Sequence, residues 1–349
     1  MQEREKVVVF GATGMDGSHL VDLLLFSNKY EVYGVATRTS TPNTQNLAHI
    51  KGTPYFSVIE GDITDPSSVF RIVNEIKPAQ LYNFAAQSHV KTSFDEPLHT
   101  FDATAVGAIN IFEACRQCSP KTKIYNASSS EMFGDSLGTL VSAPINGNPE
   151  NGNAHYRQSE TTPMLPNSPY AVAKLAAYHM GRIYRDSYGM FICNGILFNH
   201  EGPRRGEKFV TRKITKYVAE LACNRNADTM QLQLGNLDAS RDWGYAVDYV
   251  RAAYLMLQQE KPGDYVVATG ETYTVRDFLT EAFKTIGIDD WTPYVNTVKD
   301  MMRPKEVHYL CGDASKAQQQ LDWAPSITFK ELVKLMVEHD INEYRKSHV

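Results

Sequence analysis

The sequence predicts an α/β protein built on a doubly wound parallel sheet, with a smaller mixed α/β lobe for the substrate. Three observations predict it. Through the first half, apolar runs of strand length alternate with helical periodicity, the pattern of βαβ crossovers. The first run, Val7-Val8-Val9-Phe10, leads directly into glycines at Gly11, Gly14 and Gly17. Beyond about residue 200 the alternation weakens, and short strands mix with helices. A chain of 349 residues suggests two lobes at roughly 150 residues per domain. We expect them at 1–200 and 201–349, with some exchange of chain between them.

The elements follow in order. Strands are expected at Lys6–Phe10, Glu31–Ala36, Tyr55–Glu60, Gln80–Ala85 and Lys123–Ala127, and helices at Gly17–Phe26, Ser67–Ile76 and Ala103–Cys118. A long helix over Ser168–Tyr188 precedes a strand at Met190–Leu197. In the second half, helices are expected at Phe209–Cys223, Ala246–Gln259, Val275–Ile286 and Phe329–Tyr344. Short strands are expected at Gln231–Leu234, Asp264–Ala268 and Val307–Leu310. The stretch Gly134–Gln158 is dense in Gly, Pro and Asn and reads as a long loop. Loops of that length in compact domains are often functional; a solvated excursion is the alternative.

Composition narrows the function. Hydrophobic residues make up 42% and charged residues 21%, as in a globular protein, and the net charge of -5 speaks against a nucleic-acid or membrane-surface partner. No apolar run approaches the roughly 18 residues that span a bilayer. The charged start, Met-Gln-Glu-Arg-Glu-Lys, does not read as a signal peptide. Five scattered cysteines fit a reducing cytoplasm better than a disulfide framework. Cys115 and Cys118 form a single CxxC within helical periodicity and read as two thiols on a helix, so no metal is expected.

The glycine run lies at the first strand–helix junction. There glycines permit a tight turn and close backbone approach to a pyrophosphate, and the helix N-terminus offers it N–H donors. We therefore expect a dinucleotide at Gly11, Thr13, Gly14, Asp16 and Gly17. The end of the second strand chooses between NAD, held by an acid, and NADP, held by an arginine. Ala36-Thr37-Arg38-Thr39-Ser40 has no acid, so Arg38 favours NADP, the alternative being an exposed loop arginine. Asp62 follows the third strand where it would meet the adenine, or equally serve as a turn residue.

Tyr170 and Lys174 lie one helical turn apart and share a face. A phenol is a poor base at its usual pKa of about 10, but a neighbouring ammonium and an oxidised nicotinamide would lower it. Ser129 and Glu131 end the fifth strand, and in an extended chain residues two apart face the same way. The serine can bond a substrate oxygen beside Tyr170. The glutamate has no task in a plain dehydrogenase, though a helix-cap or surface acid would look the same. A hydride acceptor, a tyrosine base and an extra carboxylate together suggest oxidation that activates elimination. Oxidising a sugar hydroxyl acidifies the adjacent C–H, a carboxylate removes that proton, water leaves, and the hydride returns.

On these residues the chain resembles the extended short-chain dehydrogenase/reductase family and, within it, the GDP-mannose 4,6-dehydratases, over roughly residues 5–345. Further matching stretches are Asn83–Lys91 with Ser93-Phe94-Asp95, Asn194–Glu201 with Pro203-Arg204-Arg205-Gly206, and Phe209–Ile214. Gly235–Asp238, Arg241-Asp242-Trp243-Gly244 and Arg303-Pro304 match as well. The resemblance implies a Rossmann-like fold and a catalytic set of Ser129, Glu131, Tyr170 and Lys174, with Ser129 where threonine is commoner. It implies cofactor contacts from Ile63, Ala85, Gln87, His200 and Arg205 besides those already named. GDP-sugar contacts would come from Ser88, Asn199, Lys213, Arg241, Arg303 and Glu306. Arginine and lysine suit a diphosphate, and Glu306 could accept from guanine. Subfamily members share cofactor contacts between subunits at the Arg38 segment, which implies a homo-oligomer, a dimer or tetramer.

Three departures stand out. Thr37 replaces an arginine, Gly202 replaces a serine, and the Gly134–Gln158 loop is longer than expected. They leave the hexose open, so a GDP-heptose 4,6-dehydratase is the nearest rival. An epimerase or decarboxylase of the same fold, and a silent NADP-sensing regulator, are further alternatives. The epimerase has no need of Glu131, and the regulator has no need of the full catalytic set.

Overall fold

A computed structural model describes residues 4–37, 44–141, 155–224 and 230–347. Arg38 and the middle of the Gly134–Gln158 loop lie outside the described residues. Seven strands form the main sheet: β1 (Glu5–Phe10), β2 (Tyr30–Ala36), β3 (Phe56–Glu60), β4 (Gln80–Asn83), β5 (Lys123–Ser129), β6 (Ile192–Leu197) and β7 (Asp264–Val267). Their order is β7-β6-β5-β4-β1-β2-β3, and every pairing is parallel. It is the doubly wound sheet expected from the sequence.

The long helices are α1 (Met15–Phe26), α2 (Pro66–Ile76), α3 (Gly107–Cys118), α4 (Pro169–Tyr188), α5 (Val210–Cys223), α6 (Ala246–Gln258), α7 (Val275–Lys284) and α8 (Phe329–Ser347). Alternate side chains of β1 explain the layering. Val7 and Val9 join one buried cluster with Leu20 and Leu24 of α1 and Met256 of α6. Val8 and Phe10 join another with Ile72 of α2 and Ile111 of α3. Both faces are covered, so the strands read as unbroken apolar runs. A third cluster unites Val218 of α5, Phe278 of α7, Val333 of α8 and Trp243. Although β7 and α6 lie beyond residue 200, they belong to the sheet layers.

Four elements differ from the sequence reading. β4 stops at Asn83, whose Oδ1 accepts from the Ala85 N–H (3.2 Å) and turns the chain. The run Val307–Leu310 makes only one bridge, Tyr309 to Ser240, because its partner is a two-residue strand already paired with Tyr273–Thr274. The segment before α3 is a π turn, Asp102–Val106. The loop after Glu131 contains a short antiparallel pair, Thr139–Val141 with His155–Arg157. Cys115 is buried in the core, and all five cysteines are unpaired. Among the described residues no cluster of three or more His, Cys, Asp or Glu could hold a metal, and no helix is long and apolar enough to cross a membrane.

A polar ladder crosses four buried strands. Asn83 Nδ2 donates to Asn126 Oδ1 (3.1 Å), Asn126 Nδ2 to Asn194 Oδ1 (3.0 Å), and Asn194 Nδ2 to Asp264 Oδ1 (2.9 Å). Arg185 of α4 closes it on both carboxylate oxygens of Asp264, at 2.8 and 2.9 Å. Burial pushes the Asp264 carboxyl up, but Arg185, Asn194 and Arg182 outweigh it and hold the pKa below the usual range. Asn126→Ala orphans a donor on Asn83 and an acceptor on Asn194. At roughly 1–3 kcal/mol per orphaned group, we expect a loss of about 2–6 kcal/mol. Urea unfolding would show a lower midpoint at unchanged slope; a loss under about 1 kcal/mol would mean that the ladder does not hold the sheet.

Candidate active site

The glycine loop leaves β1 at Gly11, whose φ of +77° favours glycine. A Cβ there would lie 2.8 Å from the Ala85 nitrogen, and one on Gly17 would lie 2.2 Å from the Gly11 oxygen. The loop is thus packed against the turn after β4 on one side and against α1 on the other. Gly14 is the N-cap of α1, with no side chain capping the first N–H groups. Those groups are free to meet an anion. Asp16 adds a buried Oδ1 with no hydrogen-bond partner. Close-packed glycines, an uncapped helix start and an unpartnered acceptor fit a bound dinucleotide.

His200 faces this loop. Its Nε2 lies 2.9 Å from Asp16 Oδ2, its Nδ1 lies 2.8 Å from the Phe198 carbonyl, and its ring stacks on Tyr249 at 4.7 Å. Burial alone would lower the imidazole pKa, but the Asp16 carboxylate raises it. Arg205 Nε pairs with buried Glu201 at 3.0 Å, and its guanidinium lies 3.6 Å over the Phe209 ring.

α4 begins with Ser168 Oγ accepting from the Ala171 N–H (3.1 Å) and with Pro169 in its first turn. That start sets Tyr170 and Lys174 against the end of β5. Lys174 Nζ donates to the Ala127 carbonyl at 2.6 Å, and burial lowers its pKa to about 8 against the pull of Asp16. The expected lowering of the tyrosine pKa is not met by the chain's own groups. Burial pushes the Tyr170 phenol up to about 12, and the hydrogen bond with Ser129 and the charge of Arg205 offset this only in part.

Glu131 reaches the cleft by a route the sequence did not indicate. β5 ends at Ser129, whose Oγ accepts from the Glu131 N–H (3.2 Å) to start a single 3-10 turn, Ser130–Phe133. Glu131 is therefore on a turn and not on an extended strand. It is 7% exposed, which removes the surface-acid reading, and the capping residue is Ser129. Glu131 Oε1 lies 3.2 Å from Arg303 Nη1, Arg303 Nη1 lies 3.2 Å from Glu306 Oε1, and Arg241 Nη2 lies 2.9 Å from the same Glu306 oxygen.

These groups line one cleft of about 2270 Å³, together with Gly11, Thr13, Gly14, Asp16, Gly17, Ser88, Asn199, His200, Arg205 and Lys213. Four of the expected cofactor residues do not line it. Asp62 Oδ1 accepts from the Thr64 N–H and hydroxyl (2.8 and 2.7 Å), a turn contact that leaves Oδ2 out. The Ile63 carbonyl accepts from Asn110, at 2.9 Å. Ala85 forms the wall behind Gly11, and the Gln87 amide is spent on Thr100 and on the backbone of His89.

The sequence reading missed Asp242. Its oxygens accept from the backbone N–H groups of Thr269, Gly270 and Gly312 and from the Thr269 hydroxyl, at 2.7–3.1 Å. It thereby fixes the strand that carries Arg241, while burial pushes its pKa up to about 6. Beside an arginine in sequence, such an acid looks like an ion-pair partner, and no local signal separates the two roles.

The family model for GDP-mannose 4,6 dehydratase matches residues 8–336. The chain is similar to GDP-mannose 4,6 dehydratase 1 of Arabidopsis thaliana, at 46% identity over 100% of this chain and 93% of that protein. The Drosophila melanogaster enzyme is 43% identical over 99% and 89%. Among solved structures, the Thermus thermophilus UDP-glucose 4-epimerase complex with NAD has a TM-score of 0.77 at 27% identity, over 96% of this chain and 98% of that one. The Streptomyces venezuelae dTDP-glucose 4,6-dehydratase with NAD shares the fold, with a TM-score of 0.81 at 22% identity over 98% of each chain. By the family model and by identity along its whole length, this chain belongs to the GDP-mannose 4,6-dehydratase family.

Proposed function

We propose that the chain is an NADP-dependent hydro-lyase that converts GDP-mannose to GDP-4-keto-6-deoxy-mannose. The observation that carries the reading is one cleft in which Tyr170 and Ser129 adjoin a second, buried carboxylate, Glu131, with Arg241 and Arg303 beside it. An epimerase has no use for that carboxylate, and a silent sensor has no use for the set.

A bound nicotinamide dinucleotide supplies a hydride acceptor at C4, a hydride donor to C6 and, when oxidised, a positive charge that favours the Tyr170 phenolate. Gly11, Thr13, Gly14, Gly17, His200 and Arg205 would hold it. Tyr170 takes the proton from the C4 hydroxyl, and Ser129 donates to that oxygen. Lys174, tied to the Ala127 carbonyl, holds its ammonium beside the phenol. Glu131 then removes the C5 proton, now acidic beside a C4 ketone, and returns it to the departing C6 hydroxyl as water forms, and the proton that Tyr170 took completes C5 when C6 is reduced. Arg241, Arg303 and Lys213 bind the diphosphate. A GDP-heptose is the second reading, favoured by the length of the Gly134–Gln158 loop, which roots directly after Glu131.

Choice of NADP rests on Arg38 and on the lack of an acid beside it, and it departs from the structural relatives that hold NAD. A homo-oligomer is supported by apolar residues on one face of α4, where Val172 and Ile183 are 45% and 50% exposed, and by Leu98 nearby in sequence to α3 at 81%. Unpaired cysteines throughout favour a cytoplasmic setting.

Glu131→Gln keeps the shape and removes the base. Loss of a positioned base costs about 10²–10⁴-fold. Nicotinamide absorbance should therefore rise with GDP-mannose and persist, while mass spectrometry finds almost no dehydrated product. Tyr170→Phe should block the absorbance change itself. Product from Glu131→Gln at near the parental rate would move an epimerase-like mechanism ahead.

Arg38→Ala should weaken NADP by about 1.5–3 kcal/mol, the value of a charge-assisted contact, and leave NAD nearly unchanged. Equal losses in a binding titration would remove the NADP assignment.

A double Val172→Glu, Ile183→Glu variant should sediment as a smaller species than the parent at equal concentration. An unchanged sedimentation coefficient would put the oligomer contact elsewhere.

A further inference from the structure

The charges at the substrate end alternate along a chain drawn from three distant parts of the sequence. Glu131, Arg303, Glu306 and Arg241 follow one another through contacts of 3.2, 3.2 and 2.9 Å. Arg303 is the only link between the two carboxylates among the ion pairs of the described residues, and a single nitrogen, Nη1, serves both. Arg241 is 5% exposed and fixed between the Ser240 carbonyl and Glu306. Arg303 is different, with a side chain 27% exposed that stands on an irregular segment. That segment is held by other residues. Lys91 Nζ donates to the Asp300 carbonyl, and Lys305 pairs with Asp135 at 3.3 Å. The Arg303 guanidinium can therefore change partners without moving the backbone.

We propose that the Glu131–Arg303 ion pair is a latch, opened by a nucleotide diphosphate that takes Arg303 for itself. The inference rests on the nucleotide-diphosphate-sugar reading of the cleft. A guanidinium donating to Oε1 takes up one of the two carboxylate oxygens and holds the group toward Arg303. A diphosphate carries more charge than one carboxylate and offers oxygens for a forked contact, so it competes well for an arginine. Binding the nucleotide end then frees the base at the sugar end. A sugar without its diphosphate would meet a base still engaged.

Competition makes a prediction opposite in sign to structural damage. Removing the charge of Glu131 should tighten GDP, because the ligand no longer has to break the pair. Calorimetric titration of GDP into the unmodified protein and into Glu131→Gln should give about threefold to fivefold tighter binding in the variant, the upper end of the scale of a partly exposed ion pair. Arg303→Gln should bind GDP about tenfold to a hundredfold more weakly, the scale of a charge-assisted contact. On that background Glu131→Gln should change affinity less than twofold. Guanosine, without phosphates, should not distinguish Glu131→Gln from the parent. Melting temperatures of all four proteins verify that each is folded, and Arg303→Met replaces Arg303→Gln should the latter unfold.

Unchanged or weaker GDP binding by Glu131→Gln overturns the latch. So does an equal gain on both backgrounds, which would mean that the acid repels the ligand without acting through Arg303. If the unmodified protein binds no GDP while it binds another nucleotide diphosphate, the failure lies with the GDP-sugar reading, and the same cycle run with that nucleotide tests the latch.

Discussion

The side-chain ladder from Asn83 through Asn126 and Asn194 to Asp264 is the constraint on which the site depends. In a parallel sheet buried on both faces, a two-residue slip between strands keeps every apolar side chain on its own face. Apolar burial alone therefore sets register weakly. The ladder sets it firmly, because a slip would orphan buried amides at about 1–3 kcal/mol each. Its members are direct partners in register, Asn83 with Asn126, Asn126 with Asn194 and Asn194 with Asp264. Register in turn fixes the height of the carboxyl ends, where Ser129, Asn199 and Thr269 follow.

The same ladder positions the helix that carries the proposed base. α4 is held at both ends. Near its start Lys174 bonds the Ala127 carbonyl, and near its end Arg185 bonds Asp264 and the Ile192 carbonyl. The helix cannot slide along the sheet without breaking charged hydrogen bonds that are largely shielded from water. The relation of Tyr170 to Ser129 thus follows from contacts made as far away as β7, and hydroxyl and phenol do not have to find each other by loop motion.

What the sequence made legible follows from local physics. Buried parallel strands appear as apolar runs, glycines at a close approach cannot be replaced, and a Ser-Pro pair announces a helix start. Hence β1 to β3, the glycine loop and α4 were all read within a residue or two. What was not legible depends on distant partners. The end of β4 is decided by the Asn83 side chain, and Gln87 is committed to Thr100. Glu131 meets an arginine 172 positions away. The strand expected at Val307–Leu310 failed because its partner was too short, which the segment itself does not record. Asp62 could be read either as a ligand or as a turn, and its bonds to Thr64, both through Oδ1, show the turn without bearing on the other reading.

The two ends of the cleft are joined through buried charge. His200 Nδ1 faces a carbonyl and Nε2 faces a carboxylate. Both neighbours are pure acceptors, so the ring satisfies them only as an imidazolium donating twice, in keeping with its raised pKa. Asp16 supplies the balancing charge from the glycine loop. One residue on, Glu201 takes the Thr211 hydroxyl of α5 at 2.6 Å and pairs with Arg205. Glycine loop, strand ends and α5 are thereby linked through alternating charges in a poorly hydrated setting. Separating them would leave ions without partners, at a cost of several kcal/mol. In a cleft held by such contacts the freedom that remains lies in partly exposed cations such as Arg303, not in the frame around them.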